Sequence, residues 1–125
     1  MTGLLDRRTV SAAEKLGEEA KRLTQKLYPD DRLAGRRRQN DEADAFRHAY
    51  WNFQMTRAFG QERARDFSNL YEIFRQNPEG ERRMDLYNNQ IGRELAGTED
   101  GPAIEAVQGA IARGITRNSP YRTGR

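Results

Sequence analysis

The stretch between residues 41 and 59 constrains the fold most, because at helical spacing it carries large apolar side chains on almost every side. Its apolar positions are Ala45, Phe46, Ala49, Tyr50, Trp51, Phe53, Met55, Ala58 and Phe59. A helix that is apolar most of the way round must be enclosed by other elements. The sequence therefore predicts a central helix packed on all sides, with Asn40 as its N-cap and Gly60 at its end.

Four further segments have the three- and four-residue apolar periodicity of amphipathic helices. The first begins near Ser11, which has capping-box spacing to Glu14, and ends at Tyr28 because proline follows. The others run from about Gln61 to Arg75, from about Glu81 to Ala96 with Gly97 as the stop, and onward from Pro102. In the third helix, the expected core face is Ala64, Phe67, Leu70, Tyr71 and Phe74.

No segment keeps the two-residue alternation of a strand for long enough to argue for a sheet. We therefore predict an all-α fold, a single compact domain of about five helices with a basic C-terminal tail. The 125 residues have room for one domain. Residues 1–39 would hold the first helix and a basic connection, residues 40–96 the core, and residues 97–125 the last helix and the tail.

Composition excludes several kinds of site. The absence of cysteine excludes disulfides, thiolate metal ligands and a cysteine nucleophile. No apolar run is long enough to span a bilayer, and the first residues lack the apolar segment of a signal peptide, so export would need another route. The net charge of +3 comes from arginines at 36–38 and in the tail. They are either solvated or available to an anionic substrate.

The central helix also carries a polar stripe. Asp44, His48 and Asn52 are spaced by four residues, and Arg47 lies beside them. Polar groups on an enclosed helix are costly unless they are paired or bind something. His48 is the only histidine and suits proton transfer or metal binding. The simpler interpretation is a buried histidine hydrogen-bonded to Asp44.

A second polar cluster lies on the fourth helix, at Asp85, Asn88, Asn89, Gly92 and Arg93. Adjacent asparagines are poor helix formers, and an interior glycine costs roughly 1 kcal/mol relative to alanine. Two explanations remain open. Either Gly92 permits a tight crossing with the central helix while an asparagine bonds a neighbouring backbone, or the segment is part of a site.

Glu72 on the third helix adds another acid between the two clusters. The resulting set of four carboxylates and one imidazole comprises Asp41, Asp44, His48, Glu72 and Asp85. Such ligands favour a hard divalent cation such as magnesium, manganese or calcium. Asp44, His48 and Asp85 are the expected metal ligands. Alternatively, two of the carboxylates could flank a glycosidic bond as acid and base.

The combination NDEADAFRHAYWN at 40–52, FSNLYE at 67–72 and MDLYNNQIGRELA at 84–96 resembles an uncharacterised bacterial domain family. That family is found at the C-termini of polymorphic toxins and exported effectors. Its pattern falls on Asn40, Asp44, Arg47, His48, Trp51, Asn52, Glu72, Asp85, Asn88, Asn89, Gly92 and Arg93. Many relatives have histidine immediately before the glutamate of the third helix, where this chain has Tyr71. If that histidine is a ligand or a base, this protein uses a different arrangement or is less active.

The resemblance implies a toxin or effector context, without an established reaction. It implies delivery into a target cell by a specialised secretion system and a cognate immunity protein as partner.

From the residues, we expect the central and fourth helices to face each other across a cleft and to form a hydrolase site. The catalytic residues would be Asp44, His48, Glu72 and Asp85, and the substrate-binding residues Arg47, Asn52, Asn88, Asn89 and Arg93. The expected substrate is a phosphodiester, in nucleic acid or phospholipid, or a cell-wall glycan. The alternative is a non-catalytic interaction module, in which these residues form a buried network and the basic loop binds a protein or nucleic acid.

Overall fold

The computed structural model of this protein describes residues 6–29, 42–75 and 77–117. These residues form the helices α1 (Arg7–Leu27), α2 (Glu42–Phe59), α3 (Gln61–Arg75), α4 (Glu79–Thr98) and α5 (Ala103–Ala112). The described ranges contain no strand, which confirms the all-α class and the five helices. Five residues named in the sequence analysis lie outside the described residues: Arg36, Arg37, Arg38, Asn40 and Asp41.

Helix ends follow local capping, with two corrections to the expected bounds. The expected start of α1 at Ser11 is wrong, because the Asp6 carboxylate already caps the helix by accepting a hydrogen bond from the Thr9 amide at 2.8 Å. The expected stop at Gly97 is also wrong, since α4 continues through it to Thr98. Gly60 has a φ of +97° and lies directly after the last residue of α2, as predicted.

The central position of α2 is confirmed, because it contacts all four other helices. On one side, Phe46, Ala49 and Phe53 pack against residues of α4 and α5. On the other side, Trp51 and Met55 pack against alanines of α1 and α3. Two apolar clusters on opposite sides explain why α2 is apolar nearly all the way round.

The α2–α4 crossing is close because Gly92 has no side chain. A Cβ added to Gly92 would overlap the carbonyl oxygen of Ala49 and lie 2.8 Å from the Cα of Ala49. The predicted role of Gly92 in a tight crossing is therefore confirmed. The two helices are in direct contact here, and the described residues leave no cleft at this crossing.

The expected core face of α3 is confirmed at Ala64, which is buried, and at Phe67, which packs against the cluster of Trp51 and Met55, but it is wrong for Leu70, Tyr71 and Phe74. Its buried residues are Ala64, Ser68 and Glu72, whereas Leu70 and Phe74 are exposed. Tyr71 is exposed as well. The helix turns its polar stripe inward because Ser68 and Glu72 form hydrogen bonds with buried groups of α2 and α4. Pairing of the buried polar groups therefore decided the orientation, at the expense of apolar burial.

We predict that Gly92→Ala lowers the free energy of unfolding by about 2 kcal/mol or more, because the added methyl group must push two packed helices apart. Gly97→Ala is the matched control on the same helix, since a Cβ there meets nothing within 4 Å. It should leave stability unchanged or raise it by up to about 1 kcal/mol. Urea unfolding followed by circular dichroism measures both. Equal stability of the two variants would contradict the close crossing.

Candidate active site

Three helices each contribute one ionisable side chain to a buried cluster. His48 of α2 places Nε2 3.2 Å from Oε2 of Glu72 on α3 and 3.5 Å from Oδ2 of Asp85 on α4. All three side chains are almost completely buried. The polar stripes of α2 and α4 thus meet inside the protein, and Glu72 completes the contact from α3.

The position of one proton on His48 follows from its other ring nitrogen. Nδ1 lies 3.0 Å from the backbone carbonyl oxygen of Asp44, which can only accept a hydrogen bond, so Nδ1 is the donor. Nε2 then faces the carboxylate oxygens of Glu72 and Asp85. Arg75 Nη1 also lies 3.4 Å from Nε2. Nε2 therefore either carries a second proton, which it donates to a carboxylate, or presents its lone pair to a cation, which can be the Arg75 guanidinium or a metal ion. A histidine that donates one N–H to a carbonyl and leaves the other nitrogen free is also the usual arrangement of a metal ligand.

Burial and pairing shift the pKa values of this cluster in different directions. Burial alone lowers the pKa of His48, but its hydrogen bond to Glu72 and the charge of Asp44 outweigh burial and raise it. Burial raises the pKa of Glu72, but the hydrogen bond and charge of His48 outweigh that effect and lower it. For Asp85, burial dominates over the opposing charge of His48 and raises its pKa to about 7. Glu72 is therefore the ionised acid, and Asp85 holds a proton near neutral pH.

Three oxygens of the cluster are buried without a hydrogen-bond partner in the described structure: Glu72 Oε1, Asp85 Oδ1 and Asn89 Oδ1. In each of these side chains the other polar atom is engaged. Asn89 donates to Glu72 Oε2 at 3.2 Å, and Asp85 Oδ2 lies 3.9 Å from Arg75 Nη1. Unpartnered buried acceptors are rare because they are costly, so these oxygens fit a bound cation or water.

The geometry also identifies a set of metal ligands. One potential ligand atom from each of Asp44, His48 and Asp85 lies within 4.8 Å of the other two. Two carboxylates and an imidazole suit hard or borderline divalent cations such as magnesium and manganese. The structure thus brings together the three residues that the sequence singled out as metal ligands.

Other expected site residues take supporting positions. Arg47 pairs with Asp44 at 3.0 Å. Asn52 donates to the carbonyl of His48 at 3.1 Å and accepts from Arg93 at 2.9 Å. Arg93 also donates to Ser68 Oγ at 3.0 Å, so this buried network ties α2, α3 and α4 together behind His48. Sequence reasoning missed Ser68, although it lies one turn before Glu72.

Asn88 is engaged away from the cluster. Its amide nitrogen donates to the carbonyl of Arg117 at 2.7 Å, and its oxygen accepts from the Arg117 amide at 2.8 Å. Both groups of the side chain therefore hold the backbone that follows α5. The sequence analysis left open that one of the two adjacent asparagines bonds a neighbouring backbone, and Asn88 does so.

Access to the cluster comes from the side of α1. A groove of about 500 Å³ lies between α1, α2 and α3. It is lined by Ala13, Glu14, Gly17, Glu18, Ala20, Lys21, Arg47, His48, Trp51, Phe67 and Tyr71. Because His48 is almost fully buried yet lines this groove, it lies at the floor. Sequence reasoning expected the opening between α2 and α4 and missed this groove beside α1, although Gly17 in the middle of α1 was a signal.

The fold and site define a class: small helical domains whose enclosed central helix carries a histidine held between carboxylates at the floor of a groove. The chain belongs to a family described as a domain of unknown function, DUF6973, which matches residues 3–116 and so includes all five helices. No curated protein and no solved structure matches the chain. Among the described helices, none has the length and apolar character needed to cross a membrane.

We predict that Asp85→Asn stabilises the metal-free protein at about pH 8 by roughly 1–3 kcal/mol. The pKa of Asp85 is higher in the folded protein, about 7, than its ordinary value of 3.8. Folding therefore favours the protonated form, and stability falls as pH rises between these values. Asparagine removes this loss because it carries no charge.

Thermal unfolding in a chelator at several pH values measures the effect, and the two proteins should converge near pH ~4. Asp66→Asn, at a half-buried carboxylate on α3 outside the cluster, is the control and should show no such gain. A variant less stable than the wild type at every pH would mean that the Asp85 carboxylate is charged and stabilising.

Proposed function

We propose that this protein is a hydrolase domain of the toxin or effector type that cleaves a phosphodiester with the help of a divalent cation. The observation that carries the proposal is the convergence of Asp44, His48 and Asp85 within 4.8 Å beside a groove that reaches His48. The toxin context, delivery by a secretion system and a cognate immunity protein are proposed on the sequence resemblance alone.

Asp44, His48 and Asp85 would hold the cation. Their fit is supported by the unpartnered Oδ1 of Asp85 and by the Nδ1 hydrogen bond of His48, which turns Nε2 toward Asp85 Oδ2 at 3.5 Å. A bound divalent cation lowers the pKa of a coordinated water and neutralises charge on phosphoryl oxygens. Because the pKa of Asp85 is about 7 and the pKa of His48 is raised, cation binding should release protons and strengthen as pH rises.

The remaining residues account for proton movement and positioning. Glu72 is ionised and keeps Oε1 free, so it accepts the proton of the attacking water. As the water oxygen bonds to phosphorus, one phosphorus–oxygen ester bond breaks, and solvent in the groove protonates the leaving oxygen. The products are a phosphomonoester and an alcohol. Asn89 keeps Glu72 in position, and Arg47 at the groove wall attracts the anionic phosphate.

The same geometry disfavours a glycan substrate. Glycosidases need two carboxyl groups about 5–10 Å apart on either side of the scissile bond. Of the buried cluster only His48 lines the groove, so its carboxyl groups do not lie on either side of a substrate bound there. Arg47 and Lys21 also line the groove and can contact a phosphate, and Glu14 and Glu18 line it beside them.

The test combines cation binding with hydrolysis. The wild type should bind Mn²⁺ in calorimetry and hydrolyse a chromogenic phosphodiester, and a chelator should abolish the hydrolysis. Asp85→Asn should reduce both binding and rate by about 100-fold or more, while Asp66→Asn should leave both unchanged. The wild type should also be toxic when expressed in a bacterial host, and Asp85→Asn should relieve the toxicity. No Mn²⁺ binding by the wild type would overturn the proposal.

A non-catalytic interaction module is the second candidate, and the near-complete burial of His48, at 1% exposure, favours it. The closed network of Arg93, Asn52 and Ser68 shows that polar groups of this interior also serve stability. Under this proposal, His48→Ala would lower the melting temperature without affecting any hydrolysis. Under the hydrolase proposal, the variant would lose activity while it still unfolds cooperatively.

A further inference from the structure

We propose that the substrate is a zwitterionic phospholipid in a membrane surface, reached through an exposed apolar strip on α3. The apolar strip consists of Leu70, Ile73 and Phe74. This inference rests on the proposed phosphodiester hydrolysis and names the substrate for that same site. Three observations carry it: the exposure of the strip, its continuity with the groove, and the charges along the groove.

The strip is unusually exposed for side chains of this size. Leu70, Ile73 and Phe74 are 45%, 61% and 74% exposed, and their spacing of three and four residues places them on one face of α3. Single exposed apolar residues are ordinary, whereas a contiguous group marks a surface that binds something apolar. In the described structure, four of the five large exposed apolar side chains lie between residues 70 and 74.

The strip continues into the groove through Tyr71. This residue is 38% exposed beside the strip and also lines the groove, where its ring centroid lies 5.1 Å from that of Trp51. Phe67 and two alanines of α1 line the same groove as His48. The apolar strip and the groove that reaches His48 are therefore joined through Tyr71, so that acyl chains can contact the strip while the headgroup enters the groove.

The charges along the groove match a zwitterion better than a polyanion. Lys21 and Arg47 are balanced by Glu14 and Glu18, and all four line the groove. Nucleic acids are bound by surfaces with a clear excess of Lys and Arg, because affinity comes from neutralised phosphates. A headgroup with one phosphate and one amine would place its phosphate near the two bases and its amine near the two acids.

The aromatic wall supports the same ligand. Trp51 and Tyr71 lie on the groove lining, where an ammonium group can contact their rings. The groove volume of about 500 Å³ is within the usual range of about 300–1,000 Å³ for small-molecule sites. It has room for a headgroup and the adjoining glycerol.

The first experiment compares the wild type with the double variant Ile73→Ser/Phe74→Ser, whose side chains are too exposed to support the core. Binding to phosphatidylethanolamine–phosphatidylcholine vesicles and hydrolysis of the vesicle lipid should both fall about tenfold or more. Hydrolysis of the soluble chromogenic phosphodiester should stay within about twofold, because the cluster is untouched. Leu27→Ser, at an exposed apolar residue of α1, is the matched control and should behave as the wild type.

The second experiment tests the headgroup. Glu14→Gln/Glu18→Gln should shift the preference from phosphatidylethanolamine toward phosphatidylglycerol, which lacks the amine, by about tenfold. Two results would overturn this inference alone, provided that the wild type still hydrolyses the soluble phosphodiester. One is equal vesicle hydrolysis by the wild type and the Ile73→Ser/Phe74→Ser variant. The other is cleavage of single-stranded RNA or DNA in preference to lipid. Failure of the wild type to cleave the soluble phosphodiester would overturn the proposed function and this inference with it.

Discussion

The contact of His48 with Glu72 and Asp85 inside the protein is the constraint on which the rest of the structure depends. Three ionisable groups can be buried only if they pair with one another, so α2, α3 and α4 must each present one of them to the same point. For α3, this requirement turns Ser68 and Glu72 inward and leaves Leu70 and Phe74 on the surface. The exposed apolar strip is therefore a consequence of the charged cluster.

The polar residues of the interior divide into two groups with different tasks. Arg93 hydrogen-bonds both Asn52 and Ser68 and so connects three helices, and Asn88 bonds the backbone of the segment after α5. In contrast, Glu72 and Asp85 keep free oxygens, as does Asn89 beside them. Of the four buried side-chain atoms without a partner in the described residues, three lie in the candidate site and one is Thr56 Oγ1. This concentration marks the site, because a folded interior normally leaves few polar atoms without a partner.

The charge state of the cluster connects stability with the proposed chemistry. Near neutral pH, burial keeps a proton on Asp85, while Glu72 remains ionised beside His48. A divalent cation held by Asp85 and His48 would displace the protons that these two side chains share with their surroundings. The folded protein is thus least stable at high pH in the absence of a cation. A bound cation would stabilise the folded protein and supply a reactive water at the same place.

The amino-acid sequence by itself determined the five helices, the enclosure of α2 and the close approach at Gly92, because apolar periodicity, caps and an interior glycine are local signals. It also singled out His48 and Asp85, since polar residues on enclosed helices need partners. Only the tertiary structure decided which face of α3 is buried, that Asn88 bonds Arg117, and that the groove opens beside α1. These features depend on contacts between helices, where burial of apolar side chains competes with pairing of buried charges. Helical spacing along the chain does not reveal which of these two effects is stronger.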